Sequence, residues 1–195
     1  MGPRAGIHYR EPVTIFLIVG LPGAGKTTRA KELEASELAL RLTPDDWQIA
    51  IFRGDDSTRW RTKERAEQRF LLEGKLVDVG MRAAQLGIDV VFDFGLWAKD
   101  ERSALRWIAN KLGVRAEVVY LPIHYEEQRR RISWRYESEP GQFQMTDAEL
   151  RQWHTQFQAP DAEEVRGGEI PAVPPGYATW SQWASAHWRS LPDQY

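Results

Sequence analysis

The residues best suited to chemistry lie near the start of the chain. From Gly20 to Thr27 the sequence reads GLPGAGKT, a match to G-x-x-x-x-G-K-[ST], and Thr28 follows. Gly20, Gly23 and Gly25 let main-chain N–H groups approach oxygens with no Cβ in the way. Leu21, Pro22 and Ala24 complete the loop. A helix starting at its end aims free N–H groups and a positive dipole end at the same anion. Lys26 adds a full charge near the β- and γ-phosphates, and the Thr27 hydroxyl is placed to ligate Mg²⁺. Loop, lysine and hydroxyl together imply a nucleoside triphosphate, with ATP and Mg²⁺ as the expected cofactors.

Phosphoryl transfer also needs a carboxylate to hold the attacking hydroxyl in line. Asp45, in the stretch TPDDW, is the candidate base, and Asp46 is beside it. The same stretch also reads as a helix N-cap, where Asp is favoured. Asp93 ends the apolar run VVFDF; there it would hold the water shell of Mg²⁺ or orient the acceptor. Arg131 and Arg135 share a helix face at spacing four and suit the charge that develops on transfer. Arg129 and Arg130 are assigned to pairing with Glu126 and Glu127. Trp47, Phe52, Trp60, Phe94 and Trp97 are candidates to wall an acceptor pocket, Trp97 before the others. Trp180, Trp183 and Trp188 are assigned to packing. His124, His154 and His187 are too scattered to suggest a metal site.

These groups need elements to hold them. Residues 13–19, VTIFLIV, are continuously apolar and β-branched, as a strand buried on both faces must be. After Lys26 the pattern is helical. RLTPDDW reads as a turn broken by Pro44, and the LALRL before it as a possible short strand. Residues 58–86 read as one long amphipathic helix with Phe70, Leu71, Val77 and Met81 on its apolar side, ended by Gly87. IDVVFDFG is a second buried strand, ending in Asp93. AKDERSALRWIANKLG is a helix stopped by Gly113, and RAEVVYLP a third strand. YEEQRRRISWRYES is a basic helix. TDAELRQWHTQFQAP is another, with a capping box of Thr146 and Glu149. A Gly- and Pro-rich stretch follows, then a short terminal helix carrying Trp180, Trp183 and His187. Strands separated by helices imply parallel pairing, hence a three-layer α/β fold with ligands at the carboxyl ends of the strands. The expected organisation is a lead-in over 1–12, a phosphate-loop domain over 13–162 and a Trp-rich extension over 163–195 packed on that domain.

Composition narrows the classes. The 195 residues suit one domain with a real core. A net charge of -2 and a pI near 6.1 disfavour nucleic acid or anionic membrane as the main partner. With no cysteine, a disulfide framework, thiolate metal site or cysteine nucleophile is excluded. No apolar run approaches the length of a membrane span or a signal peptide, so the expectation is a cytoplasmic protein.

With these pieces placed, the chain resembles the P-loop kinases of the polynucleotide kinase and zeta toxin type, to which chloramphenicol phosphotransferase is similar in plan. The resemblance runs from about Thr14 to Pro160 and rests on GLPGAGKTT, TPDDW, VVFDFGLWAKDERSALRWIANKLG and EEQRRRISWRY. It implies that Asp45 activates the acceptor hydroxyl, that Asp93 is the strand-end aspartate, and that Arg131 and Arg135 are lid arginines. Polynucleotide kinases carry an arginine after the Asp turn to hold the acceptor's phosphate; this chain has Gln48. A neutral amide favours an uncharged small acceptor such as a sugar, aminoglycoside or nucleoside-like compound.

The first reading is therefore an ATP- and Mg²⁺-dependent phosphotransferase acting on a small-molecule hydroxyl. A 5′-hydroxyl polynucleotide kinase is the second. A non-kinase ATP switch is the third, and a zeta-like toxin acting on nucleotide sugars is a variant of the first. The acceptor side is expected to hold Asp45, Trp47, Gln48, Asp93 and Trp97.

Overall fold

The computed structural model describes residues 12–52, 62–138 and 145–195. Its elements are β1 (Thr14–Val19), α1 (Lys26–Ser36), β2 (Leu40–Leu42), α2 (Pro44–Phe52), α3 (Lys63–Gln85) and β3 (Val90–Gly95). Then come α4 (Lys99–Lys111), β4 (Arg115–Tyr120), α5 (Tyr125–Ser138), α6 (Asp147–Gln156), α7 (Ala162–Val165) and α8 (Trp180–His187).

The apolar runs behave as their composition requires. Every residue of β1 and β3 is buried, which only a sheet covered on both faces allows. The strands form one parallel sheet in the order β2-β3-β1-β4. Alternation sends successive side chains to opposite faces. Ile15, Leu17 and Val19 join Val90 and Phe92 in a large core under α3 and α4, which Trp180 and Trp188 also enter. Phe16, Ile18 and Val91 make a smaller core with Ala30 and Leu33 of α1. The result is three layers, helix, sheet and helix.

Register places the chemistry. Leu17 of β1 pairs with Phe92 of β3, but Val19 pairs with Gly95, so β3 gains one residue on β1 at this point. Such a bulge bends a strand and re-aims its side chains. Here it falls at Asp93 and Phe94, beside the end of β1. Arg41 of β2 is in register with Val91, so it lies on the α1 face of the sheet, as does Asp93 two residues on.

Several expectations need correction. TPDDW is not a turn: Pro44 opens α2, and Asp45 and Asp46 lie inside its first turn, where the dipole favours carboxylates. LALRL does supply a strand, Leu40–Leu42. Asp93 does not end β3, which runs on to Gly95. The helix expected over 58–86 begins at Lys63, with the Thr62 hydroxyl accepting from the Arg65 N–H. Residues 58–61, Trp60 among them, fall outside the described residues, as do residues 1–11 of the expected lead-in. Phe70 and Leu71 lie off the buried side of α3, which is formed by Leu72, Glu73, Gly74, Leu76, Val77, Gly80 and Met81. A charge and two glycines on that side hid it from a reading by hydrophobicity. The stretch after Asp161 contains a short helix, α7, capped by the Asp161 carboxylate.

Candidate active site

The loop between β1 and α1 has the conformation its glycines permit. Gly23 and Gly25 have φ of 82° and 92°, and Gly25 is the left-handed N-cap of α1. A side chain there would be strained. At Gly20 the constraint is space: a Cβ would come within 2.8 Å of the Leu121 carbonyl oxygen. Lys26 folds back over the loop and its Nζ donates to the Leu21 carbonyl at 3.1 Å.

Asp93 lies close enough to that lysine for the two charges to act on each other. Its side chain is 2% exposed, and Oδ2 is 3.6 Å from Arg41 Nη1. The same oxygen is buried with no hydrogen bond among the described residues, and the Thr27 hydroxyl faces the carboxylate. Burial raises the Asp93 pKa, against the pull of Lys26, Thr27 and Arg41. Burial likewise lowers Lys26 to about 8; Asp93 and Asp45 oppose the shift, while Arg69 and Arg135 add to it.

Asp45 reaches the site from α2 and meets Arg69 of α3 in an ion pair. The Arg69 guanidinium also donates to the Phe94 carbonyl at 3.3 Å, and its Nε pairs with Glu73 at 2.8 Å. Burial works against the charge on Arg69, yet Glu73 and Asp45 hold its pKa above the ordinary value. Glu73 is pushed by burial up to about 7 despite Arg69. The carboxylate of Asp45 is thus fixed by a guanidinium that is itself tied to the end of β3.

The basic helix α5 lies over the loop. Arg131 pairs with Glu127 at 2.6 Å and donates to the Gly23 carbonyl at 3.2 Å. Arg135 makes no ion pair among the described residues and is close enough to Lys26 to lower its pKa. Arg129 pairs with Glu126 and Asp147, and Arg130 with Glu127.

The structure therefore brings Lys26, Thr27, Asp45, Asp93 and Arg135 to one mouth at the carboxyl ends of β1 and β3. Of the expected acceptor residues, Gln48 is placed otherwise, and Trp97 borders the site by one edge. Gln48 is buried, and its Nε2 donates to the Arg65 carbonyl at 2.9 Å, so it fastens α2 to α3. Trp97 packs its ring against Trp153 and Phe157 of the α6 region, with its Nε1 edge beside Gly95. Phe94 is core, tilted against Phe92. Trp47 and Phe52 are partly exposed on α2. The inference of an acceptor side without a guanidinium, drawn from Gln48, is also corrected: Arg69 supplies one from a different helix. Sequence reasoning missed Arg69, Glu73, Arg41 and Gln128. The signal for the first two was an Arg–Glu pair at spacing four that puts a carboxylate on the apolar side of an amphipathic helix.

Residues 15–160 match the model of the AAA domain family. No curated protein matches the chain. Among solved structures, a chain of the Pnkp1/Rnl/Hen1 RNA repair complex superposes with a TM-score of 0.60 at 16% identity, over 88% of this chain and 51% of that one. The present chain thus spans about half of that protein. Kti12 from Chaetomium thermophilum, in complex with ADP-AlF3, gives 0.58 at 16% identity, over 91% of this chain and 99% of that one. A putative kinase from Chloroflexus aurantiacus gives the same score, identity and coverage. At these identities the likeness is one of fold. With the family match, it bears out the three-layer α/β architecture and the resemblance to small P-loop kinases.

Proposed function

From its membership of the AAA domain family, shown by the match over residues 15–160, we propose that this chain is an ATP- and Mg²⁺-dependent phosphotransferase with a small-molecule hydroxyl as acceptor. The observation that carries the reading is the placement of Asp45 with Lys26. Asp45 comes from outside the phosphate loop, is held by Arg69, and lies close enough to raise the Lys26 pKa. A carboxylate that comes from outside the phosphate loop and is held by a guanidinium suits a group that positions an acceptor hydroxyl.

In this reading the loop N–H groups from Gly23 to Lys26 cradle the phosphates and Lys26 faces the β- and γ-oxygens. Asp45 accepts the proton of the attacking hydroxyl as its oxygen bonds to the γ-phosphorus and the bond to the ADP oxygen breaks. Arg135 meets the charge spread over the transferred group, and Arg131 holds α5 on the loop. Thr27 and Asp93 would hold the metal ion. A buried carboxylate oxygen with no hydrogen bond, next to a hydroxyl, is a donor set that suits a hard cation. When bound, that ion supplies charge neutralisation to the phosphate oxygens.

A small, uncharged acceptor is supported by the wall around Asp45. α2 contains no lysine or arginine and exposes Trp47, Ile49, Ile51 and Phe52. Arg69, the guanidinium that pairs with Asp45, is already engaged by two carboxylates. Among the described residues of α2, a polyanion would find no cation to hold it.

The test is transfer from γ-labelled ATP to a panel of sugars, nucleosides, aminoglycosides and a 5′-hydroxyl oligonucleotide. Asp45→Asn is expected to keep nucleotide affinity within about twofold while transfer falls on the order of a hundredfold or more. Parent-rate transfer by this variant removes Asp45 from the mechanism. Labelling of the oligonucleotide alone would move the assignment to a polynucleotide kinase.

A further inference from the structure

The family match ends at residue 160, yet the chain beyond it reaches the acceptor side by two buried routes. The first starts at α8. Trp188 is fully buried; its indole N–H makes no hydrogen bond among the described residues but is close enough to the Glu73 carboxylate to act on it. Glu73 holds Arg69, and Arg69 holds both Asp45 and the Phe94 carbonyl. The following residues clamp the same helix: Ser190 Oγ donates to the Leu71 carbonyl at 2.5 Å, and the Tyr195 hydroxyl to Asp78 Oδ1 at 2.6 Å. The second route starts at α7. Glu164 is buried and pairs with the fully buried Arg102 of α4. Arg102 in turn donates to the Leu96 carbonyl at 2.9 Å and the Trp97 carbonyl at 3.2 Å. Leu96 has φ of 40°, a conformation that needs outside support in a residue with a side chain. Both routes end on the turn at the carboxyl end of β3 or on the residue across from it.

We propose that the segment Asp161–Tyr195 is a positioning brace for phosphoryl transfer: Trp188, through Glu73 and Arg69, sets the Asp45 carboxylate, and Glu164, through Arg102, sets the β3–α4 turn. This rests on the reading of Asp45 as the base. Burying ion pairs is costly, and an apolar core would hold the segment as well or better. A buried relay that ends on the acceptor carboxylate serves geometry rather than adhesion. Displacement of a reacting group by about 1 Å can cost on the order of a hundredfold in rate. Glu73, Glu164, Arg102 and Trp188 therefore act through Arg69 and the turn, without touching substrate.

The experiment uses the full-length chain with Trp188→Phe, which keeps the ring and removes the N–H, and Glu73→Gln, which keeps the shape and removes the charge. Ile108→Val, a core change at a residue that makes none of the relay's bonds, serves as the stability control. Each is assayed for kcat and nucleotide affinity with γ-labelled ATP and the acceptor panel, alone and combined with Asp45→Asn. Amide hydrogen exchange is followed in residues 44–52. The expected result is a kcat lower by about tenfold for both relay variants, with nucleotide affinity unchanged. Faster exchange in α2 and no further loss of kcat in the Asp45→Asn background are expected with it. Ile108→Val lowers the melting temperature and leaves kcat at the parent value. Parent kcat in the relay variants, or the same fractional loss with and without Asp45, overturns the brace. If Asp45→Asn itself transfers at the parent rate, the base assignment fails instead, and the exchange of α2 still reports whether the brace holds that helix.

Discussion

At the residue scale the site is a set of charges placed where each is costly alone. Lys26 illustrates it. Its ammonium is taken out of water and depressed to about 8, with Arg69 and Arg135 adding to the shift against Asp93 and Asp45. A base with a lowered folded pKa binds fewer protons folded than unfolded, so its stability cost is fully present below pH 8. That cost is relieved as pH rises toward its unfolded value near 10.5. Triphosphate oxygens reverse the balance by favouring the charged form. Near pH 8, binding of ATP is therefore expected to take up a proton, and its affinity to fall as pH rises further. Calorimetry at pH 8 in two buffers of different ionisation enthalpy measures this directly. A heat of binding that depends on the buffer for the parent, and no longer does for Lys26→Met, is the expected outcome; equal heats in both buffers for the parent would remove Lys26 as the coupled group.

At the scale of elements, packing decides what the active residues can reach. Helix α3 carries Arg69 and Glu73 because one side of it accepts the C-terminal segment at close range. Gly74 makes that possible: a Cβ there would come within 3.0 Å of both the Leu191 amide nitrogen and Trp188 Cβ. Gly74→Ala therefore pushes a methyl group into Ser190, the Leu191 backbone and Trp188 in a packed core, which costs about 1–3 kcal/mol. Urea denaturation should show the midpoint lowered with the slope unchanged, and a midpoint equal to the parent's would mean that the segment moves aside freely. The same helix shows where sequence reading stops. GLPGAGKT was legible because each residue type is demanded by local geometry, with a buried strand before it and a helix after. The runs TIFLIV and VVFDFG were legible because a strand covered on both faces must be apolar throughout. The buried side of α3 was not, because it contains Glu73 and two glycines: Gly74 meets a segment more than a hundred residues away, and Gly80 meets Phe92 and Leu42 of the sheet. Pro44 was read as a breaker, although proline is also well suited to the first position of a helix, and the structure uses it so. Gln48 was assigned by its place after Asp45, and only tertiary contact with Arg65 shows that it faces inward.

At the scale of the molecule, α5 and α6 form a cover whose contacts with the body include the site itself. Gln128 of α5 is fully buried, and its Nε2 donates to the Pro22 carbonyl in the phosphate loop at 3.0 Å. That bond fixes the amide's orientation, so the Oε1 must accept from His154 Nε2 of α6, 2.7 Å away. The Arg131 bond to the Gly23 carbonyl and the packing of Trp153 and Phe157 on Trp97 add to the attachment. The cover therefore rests on the loop that would bind phosphate and on the turn that follows Asp93. Gln128→Leu keeps the volume but leaves the Pro22 carbonyl and the His154 N–H without partners, a loss of about 1–3 kcal/mol for a buried polar group. Because one of those groups belongs to the phosphate loop, the loss is expected to appear in nucleotide binding as well as in stability. Titration with ATP and Mg²⁺ should give an affinity about tenfold weaker, since about 1.4 kcal/mol corresponds to that factor. Gly74→Ala, whose strain lies on the opposite layer, should lower stability and leave nucleotide affinity unchanged. If Gln128→Leu loses stability alone, the cover is only packed against the loop and does not shape it.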